Sequence, residues 1–168
     1  MTSLRLAWSA IGVDQAFLES NYDSFRRRSK FRAFATNPSL RAAFWMRLAA
    51  GGGATGHLAR TALIRGYACD VSPGAVFEGA MHLPHPVGIV IGHGARIGVE
   101  VTIYQGVTVG AARGGYPTIG DRCTLYPHSI IAGPIEIGAK ARVGAGVYCD
   151  RSMPALATLK RSTRERVE

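Results

Sequence analysis

Two ionisable side chains near the middle of the chain could carry proton-transfer chemistry. Asp70 stands in the segment 69–73, and His85 follows fifteen residues later in the segment 82–92. Imidazole is the side chain best suited to accept a proton near neutral pH. A carboxylate bound to the other ring nitrogen fixes the tautomer and stabilises the imidazolium that forms. The pair is therefore a candidate acid–base site, provided that the fold brings the two side chains together.

A repeat of six residues surrounds this pair. A period of six fits neither an amphipathic helix nor a strand without corners. Short strands joined by corners do fit, and three such hexads make one coil of a parallel β-helix whose coils pair with those above and below. Asp70 would lie near the start of a coil and His85 almost one coil later, so they could meet. The aliphatic anchors form two runs, Ile91, Ile97, Ile103 and Val109, then Ile119, Leu125, Ile131, Ile137 and Val143.

The repeat is interrupted twice. Its phase shifts by two residues between Ile89 and Ile91, and ten residues separate Val109 from Ile119. The second interruption contains Gly-Gly and Tyr-Pro, which resist continued strand pairing, so residues 111–117 are predicted to leave the coil as a loop. Regular coils are occupied with packing, and the irregular positions are therefore the expected places for function.

Composition limits the remaining possibilities. The chain has 168 residues, 47% of them hydrophobic, which is enough for one principal domain with an appendage. No apolar run approaches the roughly 18 residues of a membrane span, and the first residues carry no signal-peptide pattern, so a cytoplasmic protein is expected. The cysteine count of three is odd and lacks CxxC spacing, so neither a disulfide framework nor a metal site is expected. Cys123 and Cys149 fall on core positions of the repeat.

The first part of the chain differs in kind. Residues 14–34 are compatible with a helix, Pro38 suits a first helical turn, residues 40–48 present an apolar helical face before three glycines, and a further helix is expected over 55–65. These helices are expected to cover the open end of the solenoid, which would otherwise expose an unpaired strand edge. The predicted domains are 1–69, an N-terminal helical cap; 70–150, the β-helix; and 151–168, a basic C-terminal tail.

The net charge of +9 is concentrated near both ends. Basic clusters can form a solvated face, or attract nucleic acid or a phosphorylated cofactor or acceptor. No aromatic interleaving supports nucleic-acid binding, which is not expected. The clusters are Arg26, Arg27, Arg28, Lys30 and Arg32, and then Lys160, Arg161, Arg164 and Arg166.

The string His-Leu-Pro-His-Pro-Val-Gly-Ile-Val-Ile-Gly at 82–92, with Asp70 fifteen residues before His85, resembles the serine acetyltransferase branch of the hexapeptide-repeat acyltransferases. The resemblance covers roughly residues 70–146. It implies a left-handed β-helix, acetyl transfer from acetyl-CoA to a hydroxyl, and Asp70 and His85 as the catalytic dyad. A hydroxyl has a pKa far above seven, so such a reaction needs a general base.

The segment 104–110, Tyr-Gln-Gly-Val-Thr-Val-Gly, is also similar to that family. The resemblance implies that backbone groups along the coil corners hold acetyl-CoA as co-substrate, without a metal. It further implies a homotrimer with sites between neighbouring β-helices. The residues implied in cofactor binding are Gly110, Ala111, Pro127, Ala145 and Gly146.

The chain departs from the serine enzymes at the acceptor side of the site. Pro84 stands where they carry an Asp for the serine ammonium, and Gly115-Tyr116-Pro117 replaces their Arg-His-Pro segment. Unpaired charged ends of serine would cost several kcal/mol on burial. The Ile-ending tail that engages cysteine synthase is absent, so that complex is not expected. The family's Gly-x-Pro-Ala stretch is also missing.

These departures predict an O-acetyltransferase acting on a sugar or glycan, as in the related group that modifies bacterial surface polysaccharides. Pro84, Gln105 and Tyr116 are then the expected acceptor contacts, because the flat face of a tyrosine can stack on a sugar ring. Two alternatives remain open, a serine O-acetyltransferase of cysteine biosynthesis and a non-catalytic β-helix scaffold.

Overall fold

Four helices precede the solenoid in the part of the chain that the computed structural model describes, residues 2–22 and 29–161. Ser29 caps the second helix by accepting a hydrogen bond from the Arg32 N–H, and Asn37 caps the third, in which Pro38 is the first residue. The predicted helix over 14–34 is instead interrupted after Asn21. The helices are α1 (Thr2–Asn21), α2 (Lys30–Thr36), α3 (Pro38–Ala50) and α4 (Gly53–Tyr67).

Fourteen short strands follow within the described residues and stack into three parallel sheets, so that each coil contributes one strand to each sheet in turn. The prediction of a left-handed parallel β-helix with an N-terminal helical region is confirmed. The first sheet holds β1 (Asp70–Val71), β4 (Val90–Ile91), β7 (Thr108–Gly110), β10 (Ile130–Ala132) and β13 (Tyr148–Cys149). The second holds β2 (Val76–Phe77), β5 (Arg96–Ile97), β8 (Thr118–Ile119) and β11 (Glu136–Ile137). The third holds β3 (Met81–His82), β6 (Val101–Ile103), β9 (Thr124–Leu125), β12 (Arg142–Val143) and β14 (Thr158–Leu159).

The hexad anchors form the interior of the prism. All nine predicted anchors are buried, as are Cys69, Cys123 and Cys149, whose thiols are free. Each fully buried aliphatic side chain contributes about 1.5–3 kcal/mol relative to an exposed one. The repeat therefore supplies the free energy that holds successive coils together.

Extra residues in the coils are confined to corners. Val90 pairs with Thr108, eighteen residues later, whereas Asp70 pairs with Val90 across twenty residues and Arg96 with Thr118 across twenty-two. The surplus lies in residues 83–89 and in the loop 111–117, where the sequence repeat breaks. In that loop Ala112 and Gly115 form an antiparallel bridge around a tight turn.

The helices cover the free edge of the first coil and satisfy its backbone groups. The Met81 N–H donates to Asp14 Oδ1 at 2.9 Å, and the Leu83 N–H donates to Ser39 Oγ at 3.2 Å. Arg47 donates to the Gly79 carbonyl at 2.8 Å. Buried backbone groups need such partners, so the helical region supplies the hydrogen bonds that a preceding coil would otherwise provide.

Paired structure continues past residue 150 at the other end. Met153 forms a bridge with Ile137, and β14 pairs with β12. Ile137 and Met153 are only sixteen residues apart, whereas a coil of three hexads has eighteen. The six-residue repeat therefore does not predict this last coil. Of the basic clusters, Arg26–Arg28, Arg164 and Arg166 lie outside the described residues.

We expect Asp14→Asn to lower the free energy of unfolding by about 3–5 kcal/mol, because it leaves a buried guanidinium without its counter-charge. Asp14 is fully buried and accepts from Arg47 Nη1 at 2.6 Å and Nη2 at 2.8 Å. Equilibrium unfolding in urea measures the loss. The matched control is Glu100→Gln, which removes the exposed Arg122–Glu100 pair and should cost at most about 1 kcal/mol. Equal effects of the two substitutions would contradict the assigned role.

Candidate active site

His85 lies at the corner between the third and first sheets, on the lengthened segment of the first coil. Its side chain is exposed and its carbonyl accepts from the Val87 N–H at 2.8 Å. The imidazole lies 6.5 Å, centroid to centroid, from the ring of Tyr104 on the next coil. Pro84 is half-buried beside it. The extra residues of this corner therefore present an imidazole to the surface.

Asp70, at the start of β1, is held by a residue that the sequence did not single out. Both of its carboxylate oxygens accept hydrogen bonds from Arg60 on α4, Oδ1 from Nε at 2.5 Å and Oδ2 from Nη2 at 2.8 Å. The hydrogen bond from Arg60 lowers the pKa of Asp70, and the same contact raises the pKa of Arg60. Asp70 is therefore a carboxylate of fixed orientation near neutral pH.

The immediate neighbours of Asp70 and His85 are in contact. The Cys69 thiol donates to the Pro86 carbonyl at 3.5 Å and accepts from the Ile89 N–H at 3.3 Å. The Gly88 N–H donates to the Tyr67 carbonyl at 3.1 Å. The segments that carry Asp70 and His85 thus stack on each other, although the contact of the dyad itself remains a prediction. Burial raises the pKa of Cys69, which makes this thiol a core group.

Several predicted contact residues occupy the same corner on higher coils. The His128 N–H donates to the Gln105 carbonyl at 3.0 Å, and the Gly146 N–H donates to the Pro127 carbonyl at 2.9 Å, which places Ala145 in the same column. The side-chain oxygen of Gln105 is buried and accepts no hydrogen bond within the described residues. The rings of Tyr104 and Tyr126 stack at 5.5 Å. This corner column is a continuous surface that begins at His85.

The other predicted contacts lie at a different corner. Gly110, Ala111 and Tyr116 are at the junction of the first and second sheets, in and beside the loop 111–117. The Tyr116 ring is half-buried and packs so closely on Gly92 and Gly94 that neither could carry a β-carbon without a shift. One chain therefore displays its predicted site residues at two separate corners.

His82, unlike His85, is buried. Its side chain is 8% exposed on β3, and Nδ1 forms a hydrogen bond with the Tyr22 hydroxyl at 2.8 Å. Burial, with a smaller contribution from the nearby His85, lowers the pKa of His82 to about 4. The outward face of β3 is covered by α1, and only the tertiary structure shows that contact.

Comparison with known proteins agrees with this architecture. The family described as bacterial transferase hexapeptide (six repeats) matches residues 116–151. The serine acetyltransferase of Mycobacterium tuberculosis is 39% identical over 94 residues, which are 54% of this chain and 41% of that protein. The chain spans less than half the length of this relative and of the Staphylococcus xylosus serine acetyltransferase, of which it covers 44%.

Solved structures extend the likeness to the helical region. Soybean serine acetyltransferase complexed with serine superimposes with a TM-score of 0.79 at 27% identity, covering 97% of this chain and 69% of that one. Entamoeba histolytica serine acetyltransferase 1 with L-cysteine gives 0.75 at 26% identity, covering 90% and 62%. The chain is therefore similar to hexapeptide-repeat transferases, in its fold and over residues 116–151. The resemblance to the serine acetyltransferase-like branch is confirmed.

Residues 2–22 and 29–161 contain no helix with the length and apolarity that a membrane crossing requires. Within the same ranges, no three His, Cys, Asp or Glu side chains are grouped as metal ligands would be.

Because the pKa of His82 is lower in the folded chain than in the unfolded one, the unfolded chain binds more protons between about pH 6.5 and 4. The folded state should therefore lose stability as the pH falls through this window, by up to about 3 kcal/mol. His82→Gln should flatten that part of the profile in urea unfolding from pH 7 to 4. His57→Gln on exposed α4 is the control; an unchanged slope in His82→Gln would refute the assignment.

Proposed function

We propose that this chain is an acetyl-CoA-dependent O-acetyltransferase of the serine acetyltransferase type, with His85 as general base and Asp70 as its carboxylate partner. The observation that carries the proposal is the exposed imidazole of His85 on a segment stacked directly against the one that presents Asp70. The similarity to serine acetyltransferases over 94 residues supports it.

In this mechanism His85 accepts the proton of an acceptor hydroxyl as that oxygen attacks the thioester carbonyl carbon. The carbon–sulfur bond then breaks, the acetyl group remains on the acceptor oxygen, and the imidazolium returns its proton to the departing thiolate. Asp70 would stabilise the imidazolium and fix the ring tautomer. Protons and electron pairs balance without a metal or a redox partner.

The corner column above His85 suits the pantetheine arm of acetyl-CoA. A β-carbon placed on Gly146 would meet nothing within 4 Å, so the space beside this backbone is open. Pro127 and Ala145 add little bulk at the same corner. The buried, unpaired side-chain oxygen of Gln105 offers an acceptor to a bound molecule. Gly110 and Ala111 would contribute from the second corner.

L-serine is the acceptor that the relatives favour, and the expectation of a sugar or glycan is not supported by them. Soybean serine acetyltransferase was solved with serine and is 27% identical to this chain. The glycan expectation depended partly on Tyr116, whose ring is already engaged with Gly92 and Gly94. We therefore place serine first among candidate acceptors.

A complete site in this proposal requires more than one copy of the chain. The outer face of the first sheet exposes Val90 by 38%, Ile130 by 41% and Tyr148 by 57%, an apolar stripe suited to a second β-helix. Packing of copies along this face could bring the loop 111–117 of one copy near His85 of another. A homotrimer would unite the two corners in this way.

His85→Ala should lower kcat by roughly 10² to 10⁴, the usual contribution of a general base, and leave the fold intact. Release of CoA thiol with L-serine as acceptor measures it, with circular dichroism to check folding. His57→Gln, at an exposed histidine of α4, is the matched control. Wild-type turnover in His85→Ala would exclude His85 as the base, and no turnover in the unmodified protein with any acceptor would favour the scaffold alternative.

At matched concentrations, L-serine should release CoA from acetyl-CoA at least about tenfold faster than free sugars, nucleotide sugars or oligosaccharide fragments. The reason is that the relatives of similar sequence are serine acetyltransferases, and a similar solved structure contains serine. Mass spectrometry of the product identifies the acetylated oxygen. Faster turnover with any sugar would reject serine and restore the glycan prediction.

A further inference from the structure

We propose that Arg60 is a positioning residue of the active site, fixing the Asp70 carboxylate and compensating part of the negative charge that Asp70 offers to His85. This inference rests on the proposed function. It concerns a residue of α4, outside the repeat and outside every motif that the sequence carries.

The contact geometry supports a specific role. The guanidinium engages Asp70 through Nε and Nη2, one nitrogen for each carboxylate oxygen. A two-point contact of this kind fixes the carboxylate plane, which a single lysine ammonium could not do. Arg60 is placed by α4, which packs against β1 and α3. The helical cap thereby reaches the catalytic coil.

The position of the pair on the surface favours function over folding. The side chains of Arg60 and Asp70 are 35% and 36% exposed, so their attraction is screened and contributes little to stability. Both lie within reach of solvent and hence of a substrate. The stacking of residue 69 on residue 86 brings this charge pair beside the segment of His85.

Titratable side chains near His85 are His82, three residues before it on the same coil, and Tyr104, whose ring lies 6.5 Å from the imidazole on the next coil. Asp70 and Arg60 form an ion pair at the start of the first coil, on the segment that stacks against that of His85. His82 is neutral near pH 7, because burial lowers its pKa to about 4. In the proposed dyad, Asp70 and Arg60 are thus the charged groups whose balance would act on the His85 imidazole.

Arg60→Gln should raise the midpoint at which His85 titrates by about 0.5 pH unit, because Asp70 then acts on the imidazole without compensation. Asp70→Asn should lower it, because the cation of Arg60 is left unopposed. The measurements are the NMR titration of the His85 ring, assigned by its loss in His85→Gln, and the ascending limb of kcat/KM for L-serine.

Arg96→Gln is the matched control, since Arg96 forms an exposed pair with Glu78 on the second sheet at 2.6 Å. It should move neither midpoint. Arg60→Lys separates charge from geometry: it should keep the wild-type midpoint, yet lower kcat several-fold because the two-point contact is lost. It also serves as the second variant if Arg60→Gln folds poorly.

An unchanged His85 titration in Arg60→Gln, or wild-type kcat in Arg60→Lys, would overturn the proposal. The NMR titration needs no catalysis, so it tests the charge balance even if the protein acetylates no acceptor offered. Absence of activity in the unmodified protein would reject the proposed function; a null result in the titration alone would reject only the role of Arg60.

Discussion

Hydrogen bonding between coils is the interaction on which the rest of this structure depends. Each strand is only two or three residues long, too short to persist by itself. It survives because its backbone groups pair with the coil below and the coil above. That arrangement leaves the first coil with an open edge, and the helices close it through Asp14, Ser39 and Arg47. The helical region is therefore part of the solenoid's hydrogen bonding.

The same constraint decides where a site can form. A shift of one residue within a strand would turn its buried anchors outward, so the paired segments cannot absorb extra residues. Corners can, because their backbone is not committed to a ladder. The first coil gains its surplus at 83–89, where His85 is presented, and the third gains its surplus at 111–117. Extra residues that do not disturb the packing thus lie at corners, where a substrate can reach them.

This difference between paired strands and corners explains which features of the fold the sequence could predict. The hexad anchors specify the interior, the sheet pairing and both interruptions, because each is a local consequence of a period of six. The contacts of the cap carry no such period: Asp14 and Arg47 are 33 residues apart, and Tyr22 and His82 are 60 apart. For the same reason Arg60 could not be connected with Asp70, nor His82 recognised as buried. The dyad could be suspected only from its resemblance to a motif.

Two ion pairs of the cap show how burial separates a structural role from a functional one. Asp14 and Arg47 are almost completely buried. Loss of either partner therefore leaves a buried charge unpaired and lowers the free energy of unfolding by several kcal/mol. Arg60 and Asp70 are about one-third exposed, so water would solvate the two charges if they separated, and the pair contributes little to stability. An ion pair that contributes little to folding, yet is held by two hydrogen bonds, is suited to orient a carboxylate, which is the role proposed for Arg60 toward Asp70. The helical cap therefore stabilises the first coil through Asp14 and Arg47 and, in the proposed function, orients the carboxylate partner of the candidate base.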